Sequence, residues 1–430
     1  MRRPRGEEGL PAGEETFKLI KAARLIDGNG GPPAERAAIL LEGDLIRAVG
    51  TEETVHAPEG ARVWELDYGE RTVLPGLVDC HVHLIGIGDG RTGDELATLP
   101  DEVLTVQAAR NARAHLYSGV TTVRDCGAKN RTTFMLREAV DMGITPAPRL
   151  LLAGRPVAIV GGHLSYFGIE ATGPDECRGA VRQLIKEGAD YIKITATGGS
   201  TRTSFPLRPS FTVEELKAIC DEVHKFGKHA AAHCASSQGM INALEAGVDT
   251  IIHGIFKEPD GTDKFLPEVA ERIARQGVLV NPTLHGGRSR LRHLEEKLES
   301  QGLDDNEQGQ LDDVRRSNEA RADAFARMRD AGVTMACGSD AAWGNYKLGG
   351  FQHEIDAHVE AGMSPMEAIV SATRDSARSC WIEDEVGTIE VGKRADLLVV
   401  DGDPSVDVSA LWNVVDVFQA GEVVDRGNFV

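Results

Sequence analysis

The sequence lacks the features that mark membrane spans, disulfide scaffolds and nucleic-acid partners. No run of about twenty apolar residues occurs among its 430 residues, so we expect no membrane-spanning helix. Seven scattered cysteines form no C-x-x-C pair, which argues against a disulfide framework and favours a reducing, cytoplasmic compartment. Positive charge is in deficit: 47 lysines and arginines against 67 acidic residues give a net charge of −20, which disfavours nucleic acid and anionic membranes as partners.

The chain is long enough for one large barrel with an accessory domain, and its 41% hydrophobic content can fill a substantial core. Residues 1–15 are polar and rich in Gly, Pro and Glu, which is typical of a disordered tail. Arg2 and Arg3 begin like a twin-arginine signal, but no apolar stretch follows them. A chain that had already lost a signal peptide would look the same.

Short β-type runs and turns occupy residues 16–73, and β character returns over residues 386–430. Gly43 and Asp44 lie between two such runs and predict a hairpin. Neither segment holds a helical pattern longer than a turn or two. We therefore expect the two segments to form one β-sandwich beside the rest of the chain.

Between them, over residues 74–385, apolar strand-like runs alternate with helical patterns. The first run ends in a His-x-His motif, and the other seven are Thr121–Asp125, Arg149–Ala153, Tyr191–Thr195, His229–Cys234, Thr250–His253, Val278–Thr283 and Thr334–Ser339. Thr212 and Glu215 have capping-box spacing, and helices end at Gly188, Gly227, Gly247, Gly277 and Gly332. Eight such units predict an α/β fold, a (β/α)8 TIM-like barrel.

The His-x-His motif places His81 and His83 at the end of the first run. Side chains in a strand alternate faces, so both imidazoles point the same way and can bind one metal ion together. Taken alone, the motif is also compatible with two unrelated loop histidines. Further ligand-type residues at later strands favour the metal: Lys193, His233, His253 and Asp340. In this fold the carboxyl ends of the strands meet at one rim, where the active site lies.

Lys193 stands between Ile192 and Ile194, so its side chain is expected to point into the barrel. Burial favours the neutral amine, which can take up carbon dioxide as a carbamate. A carbamate has two anionic oxygens and could bridge two metals about 3.5–4 Å apart. The alternative is a core lysine paired with Asp340. Zinc suits such ligands best, although imidazole also binds cobalt, nickel and iron.

These residues resemble the amidohydrolase superfamily of the binuclear, carboxylated-lysine type. The matching pieces are residues 74–83 (LPGLVDCHVH), Lys193, His233, His253, Asp340 and residues 387–397 (GTIEVGKRADL). Residues 161–163 (GGH) and 282–284 (PTL) are similar to the imidazolonepropionase-like branch, which includes Xaa-Pro and Xaa-Arg dipeptidases and ochratoxin-type amidases. Imidazolonepropionase itself lacks the bridging lysine, and the loop after Lys193 carries arginines that depart from the branch.

The resemblance implies a ligand set and a mechanism. His81, His83 and Asp340 would hold one metal, and His233 and His253 the other. Carboxylated Lys193 and a hydroxide would bridge them. The hydroxide would attack a metal-polarised carbonyl, and Asp340 would carry its proton to the leaving nitrogen.

Other residues on the predicted rim are candidates for substrate binding: His163, Tyr166, Arg202, Arg208, His285 and Trp343. A solvated loop position is the alternative for each. The expected reaction is hydrolysis of an amide in a small molecule, an N-acyl amino acid, a dipeptide or an ochratoxin-like amide. The enzymatic alternative is hydrolysis of a carbamate, a urea or a cyclic amide. The non-enzymatic alternative is a metal-free scaffold protein of the same fold. We also expect a homo-oligomer.

Overall fold

The computed structural model describes residues 16–427, so the predicted tail of residues 1–15 lies outside the described residues. The strands are β1 (Thr16–Leu25), β2 (Ala34–Glu42), β3 (Leu45–Thr51), β4 (Arg62–Asp67), β5 (Thr72–Pro75), β6 (Leu77–Val82), β7 (Val120–Asp125), β8 (Arg149–Leu152), β9 (Val157–Ala158), β10 (Ile169–Glu170), β11 (Ile192–Ile194), β12 (Ala230–His233), β13 (Thr250–Ile252), β14 (Leu279–Asn281), β15 (Leu397–Val400), β16 (Val414–Gln419) and β17 (Glu422–Val423).

The helices lie mostly between the central strands. They are α1 (Gly93–Leu96), α2 (Asp101–Tyr117), α3 (Thr132–Asp141), α4 (Gly173–Glu187), α5 (Val213–Lys225), α6 (Ser237–Ala246), α7 (Pro267–Gln276), α8 (Leu284–Gln301), α9 (Asp305–Asp330), α10 (Gln352–Glu360), α11 (Pro365–Val370) and α12 (Ser376–Ser379). A π-helix, Ser371–Asp375, joins α11 to α12, and a 3₁₀ helix spans Val408–Trp412. Within residues 16–427 no helix has both the length and the apolar character needed to cross a bilayer.

The two ends of the chain share one sheet. Its order is β17-β16-β15-β5-β1-β2-β3, and β4 also pairs with β1. The ends meet where β15 runs antiparallel to β5, with Leu398 opposite Leu74. The hairpin predicted at Gly43 and Asp44 is confirmed, because β2 and β3 pair antiparallel on either side of it. Arrangement of this sheet as a sandwich, and the predicted domain limits, stay predictions.

The central strands pair in parallel and confirm mixed α/β character. They form two ladders, β6-β7-β8 and β10-β9-β11-β12-β13-β14. The ladders divide after the third predicted strand: β8, which corresponds to it, pairs with β7, whereas the following β9 pairs with β11. The interruption contains Pro156, which has no N–H to offer to a ladder.

The eighth predicted strand, residues 334–339, is not a regular strand. Isolated parallel bridges join Met335 to Val280 of β14 and Ala341 to Val82 of β6, so the segment still lies between these two strands. Two of its amides donate elsewhere: that of Cys337 to the Ser371 carbonyl and that of Ser339 to a buried carboxylate. The parallel strands are therefore not one continuous ladder of eight regular strands, as a (β/α)8 barrel was expected to show.

The predicted helix boundaries are confirmed where capping chemistry specified them. Thr212 caps α5 through a reciprocal capping box with Glu215. Gly188, Gly247 and Gly277 end α4, α6 and α7 in the left-handed conformation, with φ of 105°, 87° and 69°. The helices bring each following strand back in parallel, so the carboxyl ends of the central strands face the same side of the molecule.

Candidate metal centre

The His-x-His motif lies at the end of β6, a strand buried along its whole length. The two rings are 5.4 Å apart between centroids. Asp340 Oδ1 lies 3.2 Å from His81 Nε2 and 3.5 Å from His83 Nε2. Together the three residues offer ligand atoms within 4.8 Å of one another, a spacing that one metal ion can occupy.

Two more imidazoles and a lysine complete the group. His233 ends β12 and His253 follows β13, with ring centroids 4.6 Å apart. Lys193 stands in the middle of β11, is 1% exposed, and places its Nζ 3.4 Å from His81 Nε2. A cavity of about 420 Å³ is lined by all six residues that the sequence predicts as metal ligands. It is called the metal cavity below.

The ring nitrogens on the far side of the imidazoles are all hydrogen-bonded. The pairs are His81 Nδ1 with Asn281 Oδ1 (2.9 Å), His83 Nδ1 with the Gly127 carbonyl (2.9 Å), His253 Nδ1 with Thr283 Oγ1 (2.7 Å) and His233 Nε2 with the Gly198 carbonyl (2.9 Å). Such partners fix the tautomer and leave the other nitrogen as the ligand atom. The nitrogen that would bind a metal is therefore Nε2 in three of the rings and Nδ1 in His233.

The electrostatics of the group also fit metal binding. Burial lowers the pKa of all four imidazoles, to about 3 for His83 and His233, so the rings are neutral and their lone pairs are available. Burial lowers the pKa of Lys193 as well, and it raises the pKa of Asp340 to about 7. No ion pair joins Lys193 to Asp340 within 4.0 Å among the described side chains, so the alternative of a paired core lysine has no geometric support.

The backbone is strained where it carries the ligands. His253 and Asp340 have φ of 69° and 54°, and Thr283 beside them has φ of 50°. Left-handed backbone at a non-glycine residue costs about 1–3 kcal/mol and is concentrated at functional sites. His253 and Asp340 both line the cavity, and Thr283 lies beside His253, so the strained positions coincide with the candidate site.

A buried hydrogen-bond network that the sequence analysis missed holds β6 against the segment that precedes Asp340. The Asp79 carboxylate accepts from the amides of His81 (3.1 Å) and Ser339 (2.9 Å), from the Ser339 hydroxyl, and from His115 Nε2 (2.9 Å). His115, which lies on α2, had no signal in the sequence. Asp79 did have one, because it lies two residues before His81 and so on the same face of β6.

Thr283 links His253 to a second supporting side chain. Its hydroxyl lies 2.7 Å from His253 Nδ1, and Arg321 of α9 donates to the Thr283 carbonyl (2.7 Å) and hydroxyl (3.1 Å). The guanidinium therefore holds the residue that orients this imidazole. A motif of three residues, Pro-Thr-Leu, marked the position, but nothing in the sequence indicated its partner on α9.

Three of the predicted substrate-binding residues line the cavity. The His163 ring lies 4.5 Å from that of His233, the Trp343 ring lies 4.9 Å from that of His83, and Tyr166 stands on the same wall. Gly93 faces Tyr166 so closely that an added Cβ would lie 1.8 Å from its hydroxyl oxygen. Burial raises the pKa of Tyr166, so its hydroxyl stays protonated at neutral pH.

The other three predicted substrate-binding residues do not line this cavity. The loop after β11 folds back on itself through a bridge between Thr197 and Pro209, and it leaves Arg202 and Arg208 exposed outside the lining. His285 lines a neighbouring cavity, where its ring stacks 4.6 Å from that of His353. The cations that do line the metal cavity, besides Lys193, are two that the sequence analysis missed: Arg91 and Arg290.

Two loops that hydrogen-bond to each other cover the cavity. One follows β6 and the other follows Asp340. Their amide contacts are Gly88 to the Ala342 carbonyl (3.1 Å) and Gly90 to the Gly344 carbonyl (2.8 Å). Both loops contribute lining residues, so they define the mouth of the site.

Comparison with known proteins agrees with this geometry. Residues 72–424 match the model of the amidohydrolase family. The chain belongs to that family. Among curated relatives, this amidohydrolase is 27% identical to an ochratoxinase of Aspergillus niger over 446 aligned residues, which cover 95% of this chain and 87% of the relative. It is 25% identical to the imidazolonepropionase of Paracoccus denitrificans, over 90% of this chain and 94% of the relative.

Solved structures place the amidohydrolase in the same branch. A Xaa-Pro dipeptidase with methionine bound in its active site is 31% identical, superposes with a TM-score of 0.80, and is matched over 95% of this chain and 99% of its own. The family and branch predicted from the sequence are therefore confirmed.

Proposed function

We propose that this amidohydrolase is a metal-dependent enzyme that hydrolyses an amide bond in an N-acyl amino acid or a dipeptide-like substrate. The observation that carries the proposal is the convergence of four neutral imidazoles, a buried lysine and a carboxylate on one cavity. The names of two relatives, an ochratoxinase and a Xaa-Pro dipeptidase, support amide-bearing substrates. The presence of all six predicted ligands on the cavity argues against a metal-free scaffold.

The donor set fits two divalent ions. His81, His83 and Asp340 would hold the first, and His233 and His253 the second. The neutral Lys193 amine would form an N–C bond with carbon dioxide and release a proton, and the resulting carbamate would add two anionic oxygens to the donor set. Zinc suits this mixture of imidazole and oxygen ligands. When bound, such ions polarise a carbonyl and lower the pKa of water enough for it to act as a nucleophile at neutral pH.

The chain's own residues supply the remaining steps. Asp340 is 25% exposed on its side chain and faces the cavity, so its carboxylate can accept a proton from the attacking water. The same oxygen would then deliver that proton to the leaving nitrogen. Tyr166, which stays protonated, and His163 stand on the wall beside His233, where they can donate to or orient a polar group of the substrate.

Trp343 packs against His83 and lines the cavity, where its ring can contact an apolar group of the substrate. For the fold as a whole, we propose that residues 74–385 form a (β/α)8 barrel and that residues 16–73 and 386–430 form a β-sandwich beside it. The placement of the four predicted ligand histidines at the carboxyl ends of parallel strands supports the barrel.

The test is a substrate panel run on protein of known metal content. N-acyl amino acids and dipeptides are compared with aryl carbamates and phenylureas, and the Asp340→Asn variant, purified in parallel, measures contaminating activity. The proposal predicts bound divalent metal and hydrolysis of amides that the variant lacks. Preferential cleavage of carbamates or phenylureas would show that the enzyme is instead a carbamate or urea hydrolase. Protein that binds no metal would contradict both the amidase and the carbamate or urea hydrolase proposals.

A further inference from the structure

A second cavity adjoins the metal cavity. Its volume is about 670 Å³, and the two cavities share five lining residues: Gly90, Arg290, Asp340, Trp343 and Gly344. The outer cavity is walled by α8 and α9 and contains none of the metal-ligand histidines. A substrate bound at the metal ligands can therefore extend past Trp343 into a space that is not needed for the chemistry.

Arg290 of α8 stands at the junction of the two cavities and is exposed. Its Nη2 donates to Gln310 Oε1 at 3.1 Å, and among the described residues it makes no ion pair within 4.0 Å. Two neighbouring cations differ in this respect, whereas Arg292 of the same helix likewise makes no ion pair within 4.0 Å among the described residues. Arg288 pairs with Glu360, and Lys297 pairs with Glu307.

This arrangement is informative because the chain carries a net charge of −20, so acidic partners are abundant. Arg91, the other arginine on the metal cavity, lies 3.3 Å from Asp89 and is thus already paired. The guanidinium of Arg290 has five N–H donors in a planar fork, of which Gln310 takes one and thereby orients the rest. A planar fork with no carboxylate paired to it within 4.0 Å among the described residues matches the geometry of a substrate carboxylate.

We propose that Arg290 binds a carboxylate of the substrate at the junction of the two cavities, which makes it a specificity-determining residue. The inference rests on the proposed function, and it names the side chain that would bind the carboxylate which N-acyl amino acids and dipeptides carry. It assigns to Arg290 the role that the sequence pattern predicted for Arg202 or Arg208.

The experiment compares three variants on matched probes. Arg290→Gln removes the proposed anchor. Arg292→Gln removes the same charge from the same helix, but Arg292 lines a different cavity. Arg202→Gln tests the loop arginine. The probes are N-acetyl-L-phenylalanine and N-acetylglycyl-L-phenylalanine, each with its C-terminal carboxamide. Calorimetry measures their binding, and hydrolysis is followed separately.

We expect the parent to bind at least one acid more tightly than its carboxamide. Arg290→Gln should weaken binding of that acid about 10-fold or more and leave the carboxamide unchanged, since a charge-assisted pair is lost only for the acid. Arg292→Gln should match the parent for both probes, and unchanged circular dichroism should show that all variants are folded.

The inference is overturned if the parent does not discriminate either acid from its carboxamide, if Arg290→Gln weakens acid and carboxamide equally, or if Arg202→Gln alone shows the selective loss. Binding and hydrolysis separate the two proposals. If the acid binds selectively through Arg290 but no amide is hydrolysed, the inference holds and the proposed function is contradicted. If amides are hydrolysed but neither binding nor hydrolysis depends on Arg290, the proposed function holds and the inference is contradicted.

Discussion

The Asp79→Asn substitution would test how β6 is held in place beneath the metal centre. Asp79 is 0% exposed, and its Oδ2 accepts from the Ser339 hydroxyl and from His115 Nε2. The proton of His115 is fixed on Nε2, because the Gly349 amide donates to Nδ1 at 2.8 Å. Asparagine in the same rotamer would keep the contacts made by Oδ1. Its N–H₂ group would replace Oδ2 and face two other donors, the Ser339 hydroxyl and His115 Nε2, which would then lack an acceptor.

The expected loss follows from these contacts. A buried group left without its partner costs about 1–3 kcal/mol. His115 would lose its acceptor completely, since its other nitrogen is already used. The Ser339 hydroxyl can turn toward the His81 carbonyl, 3.4 Å away, and would lose less. We therefore expect a decrease of roughly 2–4 kcal/mol in the free energy of unfolding, which is a large part of the 5–15 kcal/mol typical of folded proteins.

Urea unfolding of metal-free parent and variant, followed by circular dichroism, would measure this difference. Asp94→Asn is the matched control, because Asp94 is an exposed carboxylate that lines the metal cavity. Its loss should change the free energy of unfolding by less than about 0.5 kcal/mol. If Asp79→Asn unfolded at the same urea concentration as the control, the buried network would not stabilise the site as described.

Three further substitutions test other parts of the account. Asp340→Asn should keep the fold and lower kcat about 100- to 10,000-fold, because the proton carrier is gone, and more than half of the parent kcat on a good substrate would disprove that role. Thr283→Val should weaken binding of one metal about 10- to 100-fold in a chelator competition. Thr283→Ser, which keeps the hydroxyl beside His253, should bind the metal as the parent does. Equal metal affinities of the two variants would show that the hydroxyl does not orient His253. Burial lowers the pKa of His285 to about 3, so the folded protein binds this proton less readily than the unfolded chain, and stability is lost as pH falls from about 6.5 toward 3. His285→Phe should reduce that loss by roughly 1.4 kcal/mol per pH unit in metal-free protein, and identical pH slopes of unfolding free energy would refute the assignment.

Strand order and the grouping of the ligand residues were predictable because they depend on local rules. The spacing of His81 and His83 follows from the alternation of a strand, and Gly188 and Gly277 end their helices in the conformation that glycine favours. Residues that follow parallel strands must meet at one edge, whatever lies between them. The family match confirms the predicted family, whereas the role of the grouped residues as metal ligands stays a prediction.

The direction of loop and helix side chains was not predictable by such rules. The position of Arg202 and Arg208 after a metal-bearing strand indicated the correct rim, but the loop folds back and leaves both outside the cavity. Arg290 lies on α8 and lines the cavity, a placement that no sequence pattern showed. The last predicted strand is irregular because the Ser339 amide donates to the side chain of Asp79 on β6 rather than to a backbone carbonyl of that strand.

The metal content of the parent and of Lys193→Ala tests the central claim most directly. Both proteins are equilibrated with zinc and bicarbonate, freed of unbound metal and analysed by mass spectrometry for zinc and for a carbon dioxide adduct on the parent. We expect two ions per chain in the parent and at least one fewer in the variant, whose circular dichroism spectrum should be unchanged. Added acetate or propionate should restore part of the variant's metal content and activity. A Lys193→Ala protein that still held two ions and turned over normally would show that Lys193 is an ordinary core lysine and would contradict the two-metal centre proposed for this enzyme.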